Sequence, residues 1–191
     1  MKKLALGVLL VMVFCGSAFA HNGALSLYTD ETIQVCSKAI GPTETSTISM
    51  FYVRDLGVNL GNAVEFRLTV SDPRGIFVNT VWSPMITLTL GTIESGISLT
   101  GSQCLGGTEN VTFIGSIDIF WADFTLPVPM FTVNVVADPG ADIPGIYVLQ
   151  CTPPPQNQPR VAVLGGVFVF NGSCDPGVQP TSWGAIKELY R

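Results

Sequence analysis

The chain has a single imidazole, His21, among 191 residues, and that scarcity limits its chemistry before any fold is considered. A serine or cysteine nucleophile needs a base within hydrogen-bond reach. His21 is the one candidate, and no Gly-x-Ser-x-Gly elbow accompanies it. If His21 became N-terminal by cleavage after Ala20 it would present the amine and imidazole of a copper brace, but that site needs at least one more imidazole, and the chain has none. Glycosidases need only two carboxylates. Glu65 is the strand-centred glutamate, and Arg67 stands two residues on along the same face, a spacing that usually makes a solvated pair. Asp30-Glu31, Asp138 and Asp142 offer oxygens for calcium, without a D-x-D-x-D-G run; turn-capping aspartates are the plainer reading. No catalytic residue, metal site or cofactor is expected.

Flat rings are the remaining chemical resource, because a sugar face stacks on an exposed aromatic. Trp121 in Phe120-Trp121-Ala122-Asp123-Phe124 is the first candidate platform, with Asp123 positioned to bond a hydroxyl. Trp82, beside Ser83-Pro84, is the second. The competing reading is that strand-end aromatics close a core.

The elements that must carry these residues begin after a leader. Lys2 and Lys3, the apolar run Leu4 to Phe14, and Ala18-Phe19-Ala20 have the pattern of a cleavable export signal over residues 1–20. About 170 residues then remain, enough for one well-buried domain over 21–174 and a short tail over 175–191. Without Lys2 and Lys3, seven basic residues face fourteen acidic ones, a net charge of about −7. Such a chain repels nucleic acid and anionic membrane surfaces, and after residue 20 no apolar run is long enough to span a bilayer.

Cys36, Cys104, Cys151 and Cys174 suit two bridges in an oxidising compartment. Four cysteines allow three pairings. Cys36 with Cys104 and Cys151 with Cys174 is favoured, since the second pair would staple a single excursion. Zinc is disfavoured by the lack of any C-x-x-C or C-x-H spacing.

Period-two alternation is clearest at 63–70, with Val64, Phe66, Leu68 and Val70 opposed to Glu65, Arg67 and Thr69. The same pattern gives strands at 46–54, at 86–90 with Ile86, Leu88 and Leu90 on the apolar side, and at 96–100. Runs at 111–121, 129–137, 145–150 and 160–170, with weaker ones at 24–28 and 76–82, bring the total to about ten, spaced as in an all-β antiparallel sandwich of jelly-roll or Ig/cohesin type. Ser71-Asp72-Pro73-Arg74-Gly75 is a turn in which Gly75 is expected to take the left-handed conformation. Asp138-Pro139-Gly140 repeats the device. Pro127 and Pro129 put the next strand at an edge or past the second ring. Pro153-Pro154-Pro155 makes a stiff connector. Gly165-Gly166 marks a bulge or close approach rather than a phosphate loop. Ser182 can cap a C-terminal helix with Trp183, Ile186 and Tyr190 on one side, too short to be stable alone.

From Thr47 to about Trp121 the layout resembles cohesin-like and carbohydrate-binding β-sandwiches. Gly61 to Val70 followed by Asp72-Pro73 looks like their early strand and turn, and Gly106-Gly107 with Val111 to Phe120 like a later loop and strand. The whole chain is similar to uncharacterised secreted bacterial proteins that open with Gly-Ala-x-x-Leu-Tyr-x-Asp, here Gly23 to Asp30, and close as Ser182 to Arg191 does. The four-cysteine framework departs from true cohesins.

Together these readings predict an exported, disulfide-stapled, non-catalytic β-sandwich that binds a protein or polysaccharide in an extracellular or cell-surface assembly, with the periplasm as another destination. The tail residues Trp183, Ile186 and Tyr190 are its expected partner or sorting contact. A carbohydrate-binding module is the alternative; a glycosidase or copper protein ranks third.

Overall fold

The computed structural model describes residues 23–30, 32–54, 61–105, 110–151 and 160–174. The expected leader, His21, the triple proline and the expected C-terminal helix all lie outside the described residues. Those described form twelve strands and no helix: β1 (Gly23–Tyr28), β2 (Ser37–Lys38), β3 (Thr45–Arg54), β4 (Gly61–Val70), β5 (Gly75–Trp82), β6 (Ile86–Thr92), β7 (Gly96–Leu105), β8 (Val111–Trp121), β9 (Phe131–Val136), β10 (Ile146–Gln150), β11 (Arg160–Gly165) and β12 (Val167–Phe170).

The strands join in the order β2-β12-β9-β4-β10-β11-β1-β3-β8-β5, with β7 and then β6 branching from β4. β1 runs parallel to β11, and β12 parallel to β2. The other pairings are antiparallel. Alternation places the core between the layers: Leu25 and Leu27 of β1, Ile48, Met50 and Tyr52 of β3, and Ile117, Ile119 and Trp121 of β8 meet Val64, Phe66 and Leu68 of β4, Leu99 of β7 and Phe168 and Phe170 of β12. At roughly 1.5–3 kcal/mol for each large apolar side chain fully buried, this core is the main source of stability.

The expected strands are present, with informative differences. The run at 160–170 is two strands, because the chain passes between layers at Gly166: its N–H donates to the Leu25 carbonyl at 2.7 Å and its own carbonyl accepts from the Val135 N–H at 3.0 Å. A Cβ on Gly166 would lie 2.8 Å from the Ser26 backbone, so the close-approach reading of this glycine pair holds. β2, two residues long, carries no period to read. β9 begins at Phe131, past the second proline ring. Asp138 accepts from the Gly140 N–H at 2.7 Å, as its turn requires.

Gly75 is a correction. The Gly75 N–H bonds the Asp72 carbonyl at 3.0 Å and closes the turn, yet Gly75 is not among the positive-φ glycines. Its constraint is space: a Cβ would come within 2.9 Å of Val70 and 3.1 Å of Phe131.

The disulfide pairing is a second correction. Both bridges form, but as Cys36–Cys174 and Cys104–Cys151, with Cα separations of 5.9 and 5.7 Å. Strand pairing decides this. β2 runs parallel to β12 with Ser37 opposite Val169, which sets Cys36 beside β12, and the chain bends at Asn171 and Gly172 before it reaches Cys174. β7 and β10 flank β4, and both Leu105 and Gln150 register with Gly61, so the cysteines next to them meet at one end of β4. No helix of the described residues is long and apolar enough to cross a membrane.

Candidate docking face

Trp121 is fully buried and therefore no sugar platform. It follows Ile117 and Ile119 in the same phase, and all three are 0 % exposed. Its ring stacks on Phe131 at 4.8 Å, and the Arg74 guanidinium covers it at 4.8 Å. The exposed ring of that segment is Phe124 instead, at 86 %.

Asp123 is likewise engaged. Its carboxylate accepts from the Thr125 N–H and hydroxyl at 3.0 and 2.7 Å and from Arg74 at 2.8 Å. Arg74 also donates twice to Asp72, from Nε at 2.9 Å and Nη2 at 2.7 Å. The Thr125 hydroxyl, then the Thr125 amide and Arg74, hold the Asp123 pKa at about 2. The Arg74 guanidinium, then its amide, do the same for Asp72, also at about 2. In return the two carboxylates raise the pKa of Arg74. The cluster fastens the β4–β5 turn to the loop after β8 over the Trp121 ring.

Trp82 is half-buried and packs against the core. It lines a cleft of about 270 Å³ between β5 and β6, together with Phe77, Asn79, Thr89, Ile93 and Glu94. The ion pairs among the described residues are those of Arg74, so Glu65 and Arg67 are not joined. Nor do any three His, Cys, Asp or Glu side chains among the described residues converge to hold a metal. Asp30 instead accepts from the Thr32 N–H and hydroxyl at 2.9 and 2.6 Å, which lowers its pKa.

The unexpected surface lies on β6. Period two had put Ile86, Leu88 and Leu90 on one apolar side; in the structure Ile86 packs against the core, Leu88 and Leu90 face out, 49 % and 58 % exposed, and Thr89, itself exposed, borders the cleft on the other side. The β6–β7 register fixes this parity. Ile97, 3 % exposed, sits opposite Gly91, and Leu99, 0 % exposed, opposite Thr89, so Leu90 and Leu88 pair with outward Ser98 and Thr100. Continuing through β4, β10 and β11, the outer face carries two cross-strand rows. One is Leu90, Ser98, Glu65, Tyr147 and Ala162; the other is Leu88, Thr100, Ala63, Leu149 and Arg160. Leucines stand at the β6 end of both rows and Ala162 and Arg160 at the β11 end, with Glu65 and Arg160 the charges that the two rows carry. Leu88 and Leu90 are thus solvent-facing apolar side chains in register with the polar Thr100 and Ser98.

These strands and their order define a class, the cohesin-like β-sandwich. A cohesin module from a Clostridium perfringens family 33 glycoside hydrolase aligns with TM-score 0.54 and 6% identity over 78% of this chain and 96% of that one. The type III cohesin of a Ruminococcus flavefaciens cell-surface anchoring scaffoldin aligns with TM-score 0.51 and 11% identity over 82% and 90%. A Clostridium thermocellum type I cohesin, solved in complex with a dockerin, aligns with TM-score 0.51 and 6% identity over 78% and 94%. At such identities the likeness is one of fold. No family model matches the chain, and no curated protein matches it.

Sequence reading missed Leu88, Leu90 and Tyr147 as site residues. The signal was available in part: the β6–β7 turn contains Ile93, 6 % exposed, whose carbonyl accepts from the Leu68 N–H at 2.7 Å. An apolar residue in so short a turn points to a hairpin whose tip is anchored in the core.

Proposed function

We propose that this chain is a non-catalytic protein-binding module of an extracellular or cell-surface assembly, and that its partner docks on the outer face of β6, β7, β4 and β10. The observation that carries this is the register of β6 on β7, which leaves Leu88 and Leu90 exposed on the outer face. Two disulfides suit an oxidising compartment, and cohesins of the same fold include one bound to a dockerin protein. The scarcity of proton-handling groups supports the non-catalytic part. The test is retention of surface-fraction proteins from the native cells on immobilised full chain. Leu88→Asp with Leu90→Asp abolishes retention, while Val81→Asp, exposed on the other sheet, preserves it. Equal retention by both variants refutes the assignment.

Trp82 supports a second reading. It lines the β5–β6 cleft beside Asn79 and Glu94, which could bond sugar hydroxyls. Retention on insoluble polysaccharide that is lost in Trp82→Ala but kept in the leucine variant would favour it.

A further inference from the structure

The two layers end unevenly on the side where β5 and β6 stand. Each of these strands is bonded along one edge only, β5 to β8 and β6 to β7. Among the described residues no loop bonds the backbone of Asn79, Thr80 or Val81 on the free side of β5. Strand β6 is exposed from Thr87 to Thr92, including Thr89 and Gly91 on the side that lines the cleft, whereas Phe77 and Trp82 across the cleft on β5 are half-buried and pack against the core. The layer ending in β6 therefore overhangs the layer ending in β5. Bonded strands lie about 4.8 Å apart and stacked sheets about 10 Å apart, so one further strand on β5 would lie across the inner side of β6 and cover it. Sheet edges are normally blunted by charge or proline. Gly75–Trp82 holds neither. Its one irregularity is the register shift at Val78, which leaves Asn79–Trp82 regular, with Val81 56 % exposed.

We propose that this seam takes an extended segment of another protein, added as a strand to the free edge of β5, with apolar side chains inward and a lysine or arginine at Glu94. The unpaired backbone row selects an extended chain, because only another main chain offers donors and acceptors at the same repeat. The inner side of β6 is small at Thr89 and Gly91, which leaves room for inward side chains beside Ile93 and Ile97. Charge selects the sign. Glu94 is the one charged residue lining the cleft, and among the described residues it has no ion pair. Asp118, opposite Asn79, adds a second negative charge on the outer side of β5. A basic segment is favoured there and an acidic one repelled. A second copy fits less well: its own β5 brings no cation to Glu94, and a net charge of −5 on each chain opposes the pairing. The proposal goes beyond the docking reading and does not depend on Leu88 and Leu90.

The test uses the full chain and a labelled synthetic peptide of alternating valine and threonine with a lysine at each end, so that either strand direction brings a cation to Glu94. Fluorescence anisotropy is expected to show saturable binding, and hydrogen exchange to show new protection within Asn79–Val81. The fully N-methylated peptide keeps the side chains but loses the ladder donors, and is expected to bind about tenfold more weakly or worse. The same loss is expected for Glu94→Lys, at an exposed turn, and for Thr89→Leu, which fills the inner side of β6, with circular dichroism unchanged in both. Leu88→Ser with Leu90→Ser is expected to bind the peptide as the parent chain does, which separates this seam from the outer face. Absence of binding overturns the proposal. So does equal binding of the N-methylated peptide, protection confined to another edge, or full protection of Asn79–Val81 in the free chain, which would mean the edge is already covered. Polysaccharide retention lost in Trp82→Ala, with no peptide bound, gives the cleft to a sugar and also overturns it.

Discussion

Arg74 is the residue through which the β4–β5 turn, the loop after β8 and the edge of the core are tied, and its contacts separate by pH. Asp72 and Asp123 titrate at about 2 in the folded protein, below their ordinary 3.8. Depressed carboxylates contribute stability that is complete above about pH 4 and is lost as pH falls through about 2. Arg74→Ala is therefore expected to lower stability more at pH 6 than at pH 2. Its pH-independent packing on Trp121 leaves a remainder at pH 2. Denaturant titrations at the two pH values check this, and equal losses would refute the charge account. Trp121→Ala should cost about 3–5 kcal/mol by removing a fully buried ring, measured by the same titration, without a separate effect on ligand retention. The placement of Trp121 was legible: Ile117, Ile119 and Trp121 are spaced by two, and an isoleucine phase that is buried carries the tryptophan with it. Asp123 was legible only as a polar neighbour, because its partner Arg74 lies 49 residues away.

At the scale of the element, alternation located most strands correctly but put Leu88 and Leu90 of β6 on the wrong face, past a register shift that leaves Ile86 packed on the core. In β3, β4 and β8 the apolar phase is the core phase, since each strand is central and has a layer to pack against. β6 is an edge strand joined only to β7, so its parity follows the hairpin register rather than its own hydrophobicity. The split of 160–170 hinged on one residue, Gly166, whose N–H and carbonyl bond different strands, which composition does not encode. β6 also predicts a trade between stability and binding. Thr89 faces the cleft that Phe77 and Ile93 partly line, so Thr89→Leu places apolar volume where there is room for it. Its melting temperature should rise by about 2–4 °C, equivalent to about 1 kcal/mol for a chain of this size. Capture of a protein partner at Leu88 and Leu90 should not change, whereas polysaccharide retention at Trp82, if present, should fall. A drop in melting temperature would show the cleft to be occupied or rigid.

At the scale of the molecule, the fold class was readable because it needs only many short alternating runs, while the cysteine pairing was not, because it depends on which strands lie side by side. Cys151 and Cys174 are near in sequence, yet β10 lies beside the central β4 and β12 beside the edge strand β2. The two bridges therefore close loops of very different length, 138 residues for Cys36–Cys174 and 47 for Cys104–Cys151. Chain-entropy reasoning gives the longer bridge ~1 kcal/mol more stabilisation through the unfolded state, within the usual few kcal/mol for each. The Cys36→Ser/Cys174→Ser variant is thus expected to lose more stability than Cys104→Ser/Cys151→Ser. It should also loosen the two-residue β2, which that bridge and one parallel pairing hold together with the Asn171 side chain's hydrogen bonds to Ile40. Hydrogen exchange would show this as lost protection at Lys38 and Val169 with the β3–β8 ladder unchanged. If the shorter bridge proves the costlier one to remove, the β7–β4–β10 face is held by its covalent clasp rather than by its core, and the docking face above would collapse on reduction.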